Sequence, residues 1–371
     1  MANDMSGGKP AEENANEDTG SDKGNINGSY HHIPVLLKEA IEFLKPGPGG
    51  RFIDCTLGGA GYTIELAKRV GDDGQVLAVD ADEMAIENAK NIIQKKEFKN
   101  IILSHANFRS LSKIIKENFP VLPYGKAGQG ARFDGIVFDL GLSSAQLKDQ
   151  NRGFSFQVDA SRLDMAFGLP PDKKAEDGRG GADGTEDERE EEAEKSLSTK
   201  DIVNNWPKEE LARIFKEYGE ERFAWRIAEK IVEIRKKIKK SGGEGIATVG
   251  ELVNIIKSAV PAFYRNGRIN PATKIFQALR VATNDELGSL IEVLPQAVEA
   301  LKPGGRLVVI SYHSLEDRIV KNFFKKEAFK KSEPGKGKLK ILTKKVIIPR
   351  FEEAKENPRS RSAKLRAAER I

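Results

Sequence analysis

Cysteine is nearly absent from this sequence of 371 residues, since Cys55 is the only one. A single thiol excludes an intrachain disulfide and a zinc site built from several cysteines, and we expect no metal ion. The sequence also lacks an apolar run near the roughly 18 residues that a membrane-spanning helix requires. Its acidic N-terminus has no apolar segment of the signal-peptide kind, so we expect a cytoplasmic protein without a membrane partner.

Apolar residues are scarce in two segments, residues 1–30 and 172–196, which are rich in glycine and acidic residues. We expect an acidic disordered tail and an acidic disordered loop there, because such segments cannot offset the entropy of ordering. The whole chain carries a net charge of +5 and these segments carry −4 and −6, so the remaining residues carry +15. That charge suits a polyanionic partner, and equally a lysine-rich surface that only keeps the protein soluble.

Strands alternate with helices in the first part of the sequence. Largely apolar strands are predicted at residues 51–54, 75–80, 101–104 and 133–139, as in a parallel sheet buried on both faces. The alternation stops after about residue 144 and resumes with a strand at residues 306–311. Asn284 is expected to cap a long helix before that strand, and residues 339–348 could supply the final strand. We therefore predict an α/β sheet domain made of residues 31–145 and 265–371, interrupted by an all-helical insertion at residues 146–264.

A glycine-rich turn follows the first predicted strand, in the order Asp-Cys-Thr-Leu-Gly-Gly-Ala-Gly from Asp54 to Gly61. Glycines at such a turn let the backbone and the next helix N-terminus approach a ligand closely. Asp80 closes the second predicted strand, where an acid can accept hydrogen bonds from ribose hydroxyls. The combination predicts a site for a nucleoside cofactor.

The charges around this turn favour S-adenosylmethionine over NAD. The turn does not follow the Gly-x-Gly-x-x-Gly spacing of dinucleotide sites, and Asp54 and Asp139 end neighbouring strands at the same cleft. Carboxylates attract a ligand with a sulfonium and an ammonium group and repel a pyrophosphate. A nucleotide-dependent oxidoreductase remains the alternative enzyme.

Asp139 is the candidate catalytic residue. It ends the fourth predicted strand and precedes a Gly/Ser turn that contains Ser143 and Ser144, which we regard as substrate contacts. Ligands bind at the carboxyl ends of such strands. An exocyclic amine is a weak nucleophile because its lone pair is delocalised, and an acceptor for its N–H groups favours the pyramidal, nucleophilic form. Positioning and electrostatics would then provide most of the rate.

Several longer segments resemble the MraW-type 16S rRNA (cytosine-N4)-methyltransferases. They are His32–Glu39, Asp139–Ser144, Arg152–Phe156, Leu163–Met165, Tyr218–Ala224, Asn270–Arg280, Ile310–Arg318 and Asn357–Ser362. The resemblance implies a class I (Rossmann-like) S-adenosylmethionine-dependent methyltransferase sheet whose helical insertion recognises the substrate. It also implies S-adenosyl-L-methionine as the cofactor and, as the substrate, a flipped-out decoding-centre cytosine of the small ribosomal subunit.

The same resemblance implies a set of cofactor contacts: Ala60, Gly61, Tyr62, Asp80, Phe108, Asp139 and Gln146. The family usually has glycine and histidine where this chain has Ala60 and Tyr62. Further substrate candidates lie beyond the Asp139 turn, namely Arg152, Phe154 and Phe156, while His313 either lies near the RNA or makes a structural hydrogen bond.

Other interpretations stay open. A non-catalytic RNA-binding or assembly factor could keep the same fold, and the departures at Ala60 and Tyr62 favour it. The basic helix predicted within residues 222–240 either binds phosphate or is simply solvated. The sequence is compatible with a monomer and with a homodimer.

Overall fold

A computed structural model describes residues 34–119, 132–143, 146–147, 149, 151–155, 158–168, 197–267, 270–329 and 337–371. The predicted acidic tail and acidic loop lie outside these residues, as do the candidates Ser144 and Phe156.

Seven strands form one sheet within the described residues. They are β1 (Arg51–Asp54), β2 (Gln75–Asp80), β3 (Ile101–His105), β4 (Phe133–Asp139), β5 (Leu301–Ser311), β6 (Leu339–Ile341) and β7 (Lys364–Arg370). Their spatial order is β3-β2-β1-β4-β5-β7-β6. Neighbours from β3 to β5 pair in parallel, and β7 runs antiparallel to both β5 and β6. The order reverses between β1 and β4, which is where sheets of this kind bind ligands.

The described residues form thirteen α-helices. They are α1 (Leu37–Leu44), α2 (Gly61–Val70), α3 (Glu83–Lys96), α4 (Leu111–Asn118), α5 (Thr199–Asn205), α6 (Lys208–Glu217), α7 (Ala224–Lys240), α8 (Val249–Ala259), α9 (Ala262–Arg265), α10 (Pro271–Asn284), α11 (Glu286–Ala300), α12 (Ser314–Lys326) and α13 (Phe351–Glu356).

Successive side chains of each strand pack on opposite faces of the sheet. On β1, Phe52 packs with α1 and α2, whereas Ile53 packs with α4, α11 and α12. Both faces are therefore covered, which explains why the central strands are apolar throughout. This sheet, with helices on both sides, is a class I Rossmann-like fold.

The helices between β4 and β5 have a hydrophobic core of their own, which extends from Phe154 to Leu279. Helices α5 to α8 contribute to it, and so does α10 through Ala272, Ile275 and Leu279. Because α10 packs here and not on the sheet, we propose that the helical insertion ends near Asn284 and not at residue 264.

The predicted strands at residues 51–54, 75–80 and 133–139 are confirmed with the same bounds. The final strand is different, because β7 was not predicted and only residues 339–341 of the expected 339–348 segment form a strand. Asn284 was expected to cap the long helix that follows this residue. Asn284 is instead the last residue of α10, and Asp285 precedes α11 with a φ of 44°. Among the described residues, none of the helices is both long and apolar enough to cross a bilayer.

Candidate active site

Two adjoining pockets lie at the carboxyl ends of β1, β2, β4 and β5. The larger has a volume of about 770 Å³ including its open mouth, within the range of about 300–1,000 Å³ that is common for ligand sites. Its lining includes Thr56, Gly58, Asp80, Phe108, Asp139, Ser143, Gln146 and Glu316. The smaller is lined by residues that include Pro34, Gly59, Gly61, Tyr62, Gly141 and Tyr312. Five residues line both pockets: Thr56, Gly58, Asp139, Gly141 and Ser143.

Asp54 lies behind the glycine-rich turn and is fully buried. Its Oδ2 accepts a 2.7 Å hydrogen bond from the Thr63 hydroxyl, and its Oδ1 accepts a 3.1 Å bond from the backbone N–H of Thr56. Burial raises the pKa of this carboxyl to about 6. Asp54 therefore fixes the turn and places negative charge beneath it.

Asp80 faces the larger pocket at the end of β2. Its two oxygens accept backbone hydrogen bonds from Gly58 at 2.8 Å and from Asp82 at 2.9 Å. Each carboxylate oxygen has a second lone pair, so both can still accept from ligand hydroxyls. Burial raises the pKa of Asp80 to about 6, against the effect of the two N–H donors.

The turn into α2 brings the chain close to Pro34. Ala60 is buried with a φ of 63°, a left-handed conformation that costs about 1–2 kcal/mol for a residue with a Cβ. A larger residue cannot replace Gly61 without a clash, because a Cβ there would lie 2.0 Å from the Pro34 Cγ. Gly61 lines the smaller pocket, whereas Ala60 does not.

Tyr62 is buried and also lines the smaller pocket. Its hydroxyl donates a hydrogen bond to the carbonyl oxygen of Val35, and burial raises its pKa well above the ordinary value. Phe108 lies at the other end of the site, half-buried in the wall of the larger pocket. Its ring meets Phe138 edge to face, with centroids 5.7 Å apart.

Gln146 joins the turn after β4 to the turn after β2. Its Nε2 donates a 2.9 Å hydrogen bond to Asp82, and its Oε1 accepts one of 2.9 Å from the backbone N–H of Ser143. Arg152 donates to the same Asp82 oxygen at 2.7 Å and to the carbonyl oxygen of Ala166 at 2.6 Å. This network holds the wall of the larger pocket in place.

Arg152 and Phe154 therefore have structural partners. The Phe154 ring is 7% exposed and stacks on Phe167 with centroids 5.7 Å apart, inside the helical core. The structure favours a packing role for Phe154, and direct substrate contact by either residue stays a prediction.

Asp139 is one of the five described residues that line both pockets. Its Oδ1 accepts a 2.8 Å hydrogen bond from the Tyr312 hydroxyl, and its backbone N–H donates to Thr56 Oγ1 at 2.6 Å. Burial raises the pKa of Asp139 to about 7, although the Tyr312 hydrogen bond lowers it. The Tyr312 ring lies against Gly141, where a Cβ would come within 2.5 Å of it.

Tyr312 was not among the predicted site residues, although it lies next to His313 in the Ile310–Arg318 segment. His313 and Glu316 hold the start of α12 as a capping box. Glu316 Oε2 accepts hydrogen bonds from the backbone N–H groups of Tyr312 at 2.8 Å and His313 at 3.2 Å. The structural alternative for His313 is thus observed, and a role near RNA stays a prediction.

A possible set of metal ligands lies beside the larger pocket. Ligand atoms of Glu286, His313 and Glu316 are all within 4.8 Å of one another. Arg280, however, donates to both oxygens of Glu286 at 2.7 and 2.8 Å. A guanidinium in that position disfavours a cation, and the expected absence of a metal stays a prediction.

The electrostatics of the site suit a cationic cofactor. Asp54, Asp80 and Asp139 all have raised pKa values, and none of them forms an ion pair within the described part of the chain. A bound sulfonium and ammonium would offset this charge, whereas a pyrophosphate would add to it. The residues that would hold S-adenosylmethionine are Gly58, Asp80, Phe108 and Asp139, because they line one continuous pocket.

The comparisons with known proteins agree with this geometry. The model of the MraW methylase family matches residues 29–177 and 182–371. The protein named ribosomal RNA small subunit methyltransferase H from Heliobacterium modesticaldum is 40% identical over 351 residues, covering 92% of this chain and 99% of the relative. Its namesake from Thermomicrobium roseum is 43% identical over 352 residues, covering 92% and 94%.

A solved rRNA methylase from Streptococcus thermophilus aligns over 92% of this chain and 99% of its own, with 9% identity and a TM-score of 0.38. The family assignment does not depend on that alignment. The nearly full-length family match decides against the oxidoreductase alternative. The chain therefore belongs to the MraW methylase family and is an S-adenosylmethionine-dependent methyltransferase.

Proposed function

We propose that this protein methylates the exocyclic N4 amine of a decoding-centre cytosine in small-subunit rRNA. The names of its relatives support ribosomal RNA of the small subunit as the substrate. The charge of +15 outside the two acidic segments suits a phosphate-rich partner. A base inside a helix cannot reach a recessed carboxylate, so the cytosine must be flipped out of its stack.

The observation that carries the proposal is the position of Asp139 between the two pockets. Bound S-adenosylmethionine supplies an electrophilic methyl group. In its carboxylate form, Asp139 accepts a hydrogen bond from an N–H of the target amine and so favours the nucleophilic geometry of the nitrogen. Tyr312 bonds to one oxygen of Asp139, and the carboxylate retains further acceptor sites.

Asp139 is also suited to receive the proton that the amine loses. A catalytic base works best when its pKa lies near the operating pH, and burial brings this carboxyl to about 7. Asp54 and Asp80 have pKa values of about 6, and their oxygens hold the glycine-rich turn and the second turn. Asp54 and Asp80 keep the site rigid and negatively charged while Asp139 takes up the proton.

The direct test uses small ribosomal subunits from a strain that lacks this enzyme, incubated with the protein and methyl-labelled S-adenosylmethionine. The RNA is then digested to nucleosides, and we expect the label in N4-methylcytidine. Asp139→Asn should abolish transfer while its melting temperature stays close to that of the original protein. Label in another nucleoside, or normal turnover by the Asp139 variant, would contradict the proposal.

A further inference from the structure

The strongest feature outside the active site is an arginine held between aromatic rings on the helical insertion. The Arg222 guanidinium carbon lies 4.5 Å from the ring centroid of Tyr264, 4.8 Å from that of Phe223 and 5.5 Å from that of Phe263. The Tyr264 hydroxyl donates a 2.6 Å hydrogen bond to Glu221, which is buried. The Tyr264 ring beside the guanidinium is therefore held in place.

This cluster is open to solvent. Phe263 is 70% exposed, and no carboxylate among the described residues lies within ion-pair distance of Arg222. A second ring, Trp225, is 53% exposed one helical turn along the chain, with the Lys208 ammonium 4.3 Å from its centroid. We call Arg222, Trp225, Phe263 and Lys208 the Arg222 surface.

The segment that carries Arg222 is hydrogen-bonded to α12, whose first turn contributes to the lining of the larger pocket. Glu220, two residues before Arg222, accepts hydrogen bonds from the Ser314 hydroxyl at 2.9 Å and from Arg318 at 3.2 Å. Ser314 is the first residue of α12, and Glu316 on the same helical turn lines that pocket. A chain that enters the pocket can therefore extend across this surface.

The chemistry of the surface matches unpaired RNA. An exposed aromatic ring stacks on a base of any sequence, and a guanidinium that contacts ring faces keeps its N–H donors for phosphate oxygens. Neighbouring cations favour a polyanion over an apolar protein segment. A fixed arginine also loses little side-chain entropy when it binds.

We propose that the Arg222 surface binds single-stranded RNA next to the target nucleotide, with Phe263 stacked on a base and Arg222 on a phosphate. This inference rests on the proposed function, because it assumes an RNA substrate that enters the neighbouring pocket. It assigns to the insertion a defined contact that acts on RNA affinity and not on the chemistry at Asp139.

The test measures binding of a fluorescein-labelled single-stranded RNA of roughly 15 nucleotides to the full chain by anisotropy, at several salt concentrations. We expect Phe263→Ala to weaken binding about tenfold with an unchanged salt dependence, and Phe263→Trp to retain affinity. Arg222→Ala should lower the slope of log affinity against log salt by about 0.7, as for one lost phosphate contact. Arg222→Lys should keep that slope.

Two control variants match these changes. Lys236→Ala removes one exposed charge farther along α7, and Phe329→Ala removes a partly exposed ring beside β6 at the edge of the sheet. Neither should change the affinity by more than about twofold. Normal RNA binding by Phe263→Ala and Arg222→Ala would overturn the inference, even if their methylation of intact subunits fell, since the partner would then be a protein.

The outcome is separable from that of the proposed function. If the original protein binds the RNA, the Phe263 and Arg222 variants bind it more weakly, and no methyl group is transferred to subunits, the proposed reaction is wrong and the proposal for the Arg222 surface stands. If transfer occurs and the variants show an unchanged KM for subunits and unchanged RNA affinity, the proposal for the Arg222 surface is wrong and the proposed function stands. We expect a raised KM with an unchanged kcat.

Discussion

The Tyr312 hydroxyl donates a 2.8 Å hydrogen bond to Oδ1 of Asp139 across two neighbouring strands. Asp139 lies opposite Ile310 in the β4–β5 register, so Tyr312 is two residues beyond the paired position. Glu316 holds the backbone of Tyr312, and Gly141 leaves room for its ring. A residue that directly follows another strand thus lowers the pKa of the candidate catalytic carboxyl, against the larger effect of burial.

Tyr312→Phe should move the acid limb of the pH–rate profile upward by about one to two pH units. In the original protein the hydrogen bond from Tyr312 lowers the pKa of Asp139, so its removal should raise that pKa. Such a bond to a charged group is worth about 1.5–3 kcal/mol. We expect kcat to fall several-fold near pH 7 and to recover near pH 9. Tyr218→Phe, which removes a hydroxyl in the insertion, should leave the profile in place. A uniform loss of kcat at every pH would argue against this role.

The affinity for S-adenosylmethionine should fall as the pH falls from 8 to 5.5. Asp80 and Asp139, with pKa values of about 6 and 7, are carboxylates above these values and neutral below them. Protonation removes their attraction for the cationic ligand, and we expect at least about a tenfold loss. Calorimetry with S-adenosylhomocysteine is the control, because that ligand lacks the sulfonium charge. Equal losses for both ligands would rule out this explanation.

Gly61→Ala should destabilise the protein by about 1–3 kcal/mol, because the new Cβ would overlap Pro34. Chemical denaturation measures this loss, and calorimetry should show weaker cofactor binding because Gly61 lines the smaller pocket. Gly47→Ala is the matched control, since no atom lies within 4 Å of a Cβ at that glycine. Equal stability of the two variants would show that Pro34 can move aside.

Arg152→Met should lower the free energy of unfolding by about 2 kcal/mol. The change leaves Asp82, which is 4% exposed, without its ion pair but with the hydrogen bond from Gln146. Arg69→Met, which breaks an exposed ion pair with Glu65, should cost less than about 0.5 kcal/mol. Unchanged stability together with a raised KM for RNA would instead support Arg152 as a substrate contact.

Much of the candidate site could be predicted because each of its three aspartates is the last residue of an apolar strand. Asp54, Asp80 and Asp139 each close a strand whose buried residues before the acid are apolar, so the pattern of apolar residues was enough to predict them at the edge of the sheet. Parallel pairing then brings these ends together.

The other features of the fold and the site depend on contacts that the nearby sequence does not indicate. Nothing near Asp139 in the sequence indicates that Tyr312 would bond to it, since the β4–β5 register decides this. β7 was missed because only one of its three buried positions holds a large apolar residue, Leu365, and alanines fill the other two, Ala367 and Ala368. The Gln146–Asp82–Arg152 network likewise appears only once the turns meet.

The insertion also has a consequence for how the chain reaches its native state. About 160 residues separate the end of β4 from the start of β5, and closing so long a loop is entropically costly and slow. A helical segment with a separate core can fold early and bring the two strand ends within reach. We therefore expect the candidate catalytic carboxyl to meet its tyrosine partner late in folding, after the insertion has formed.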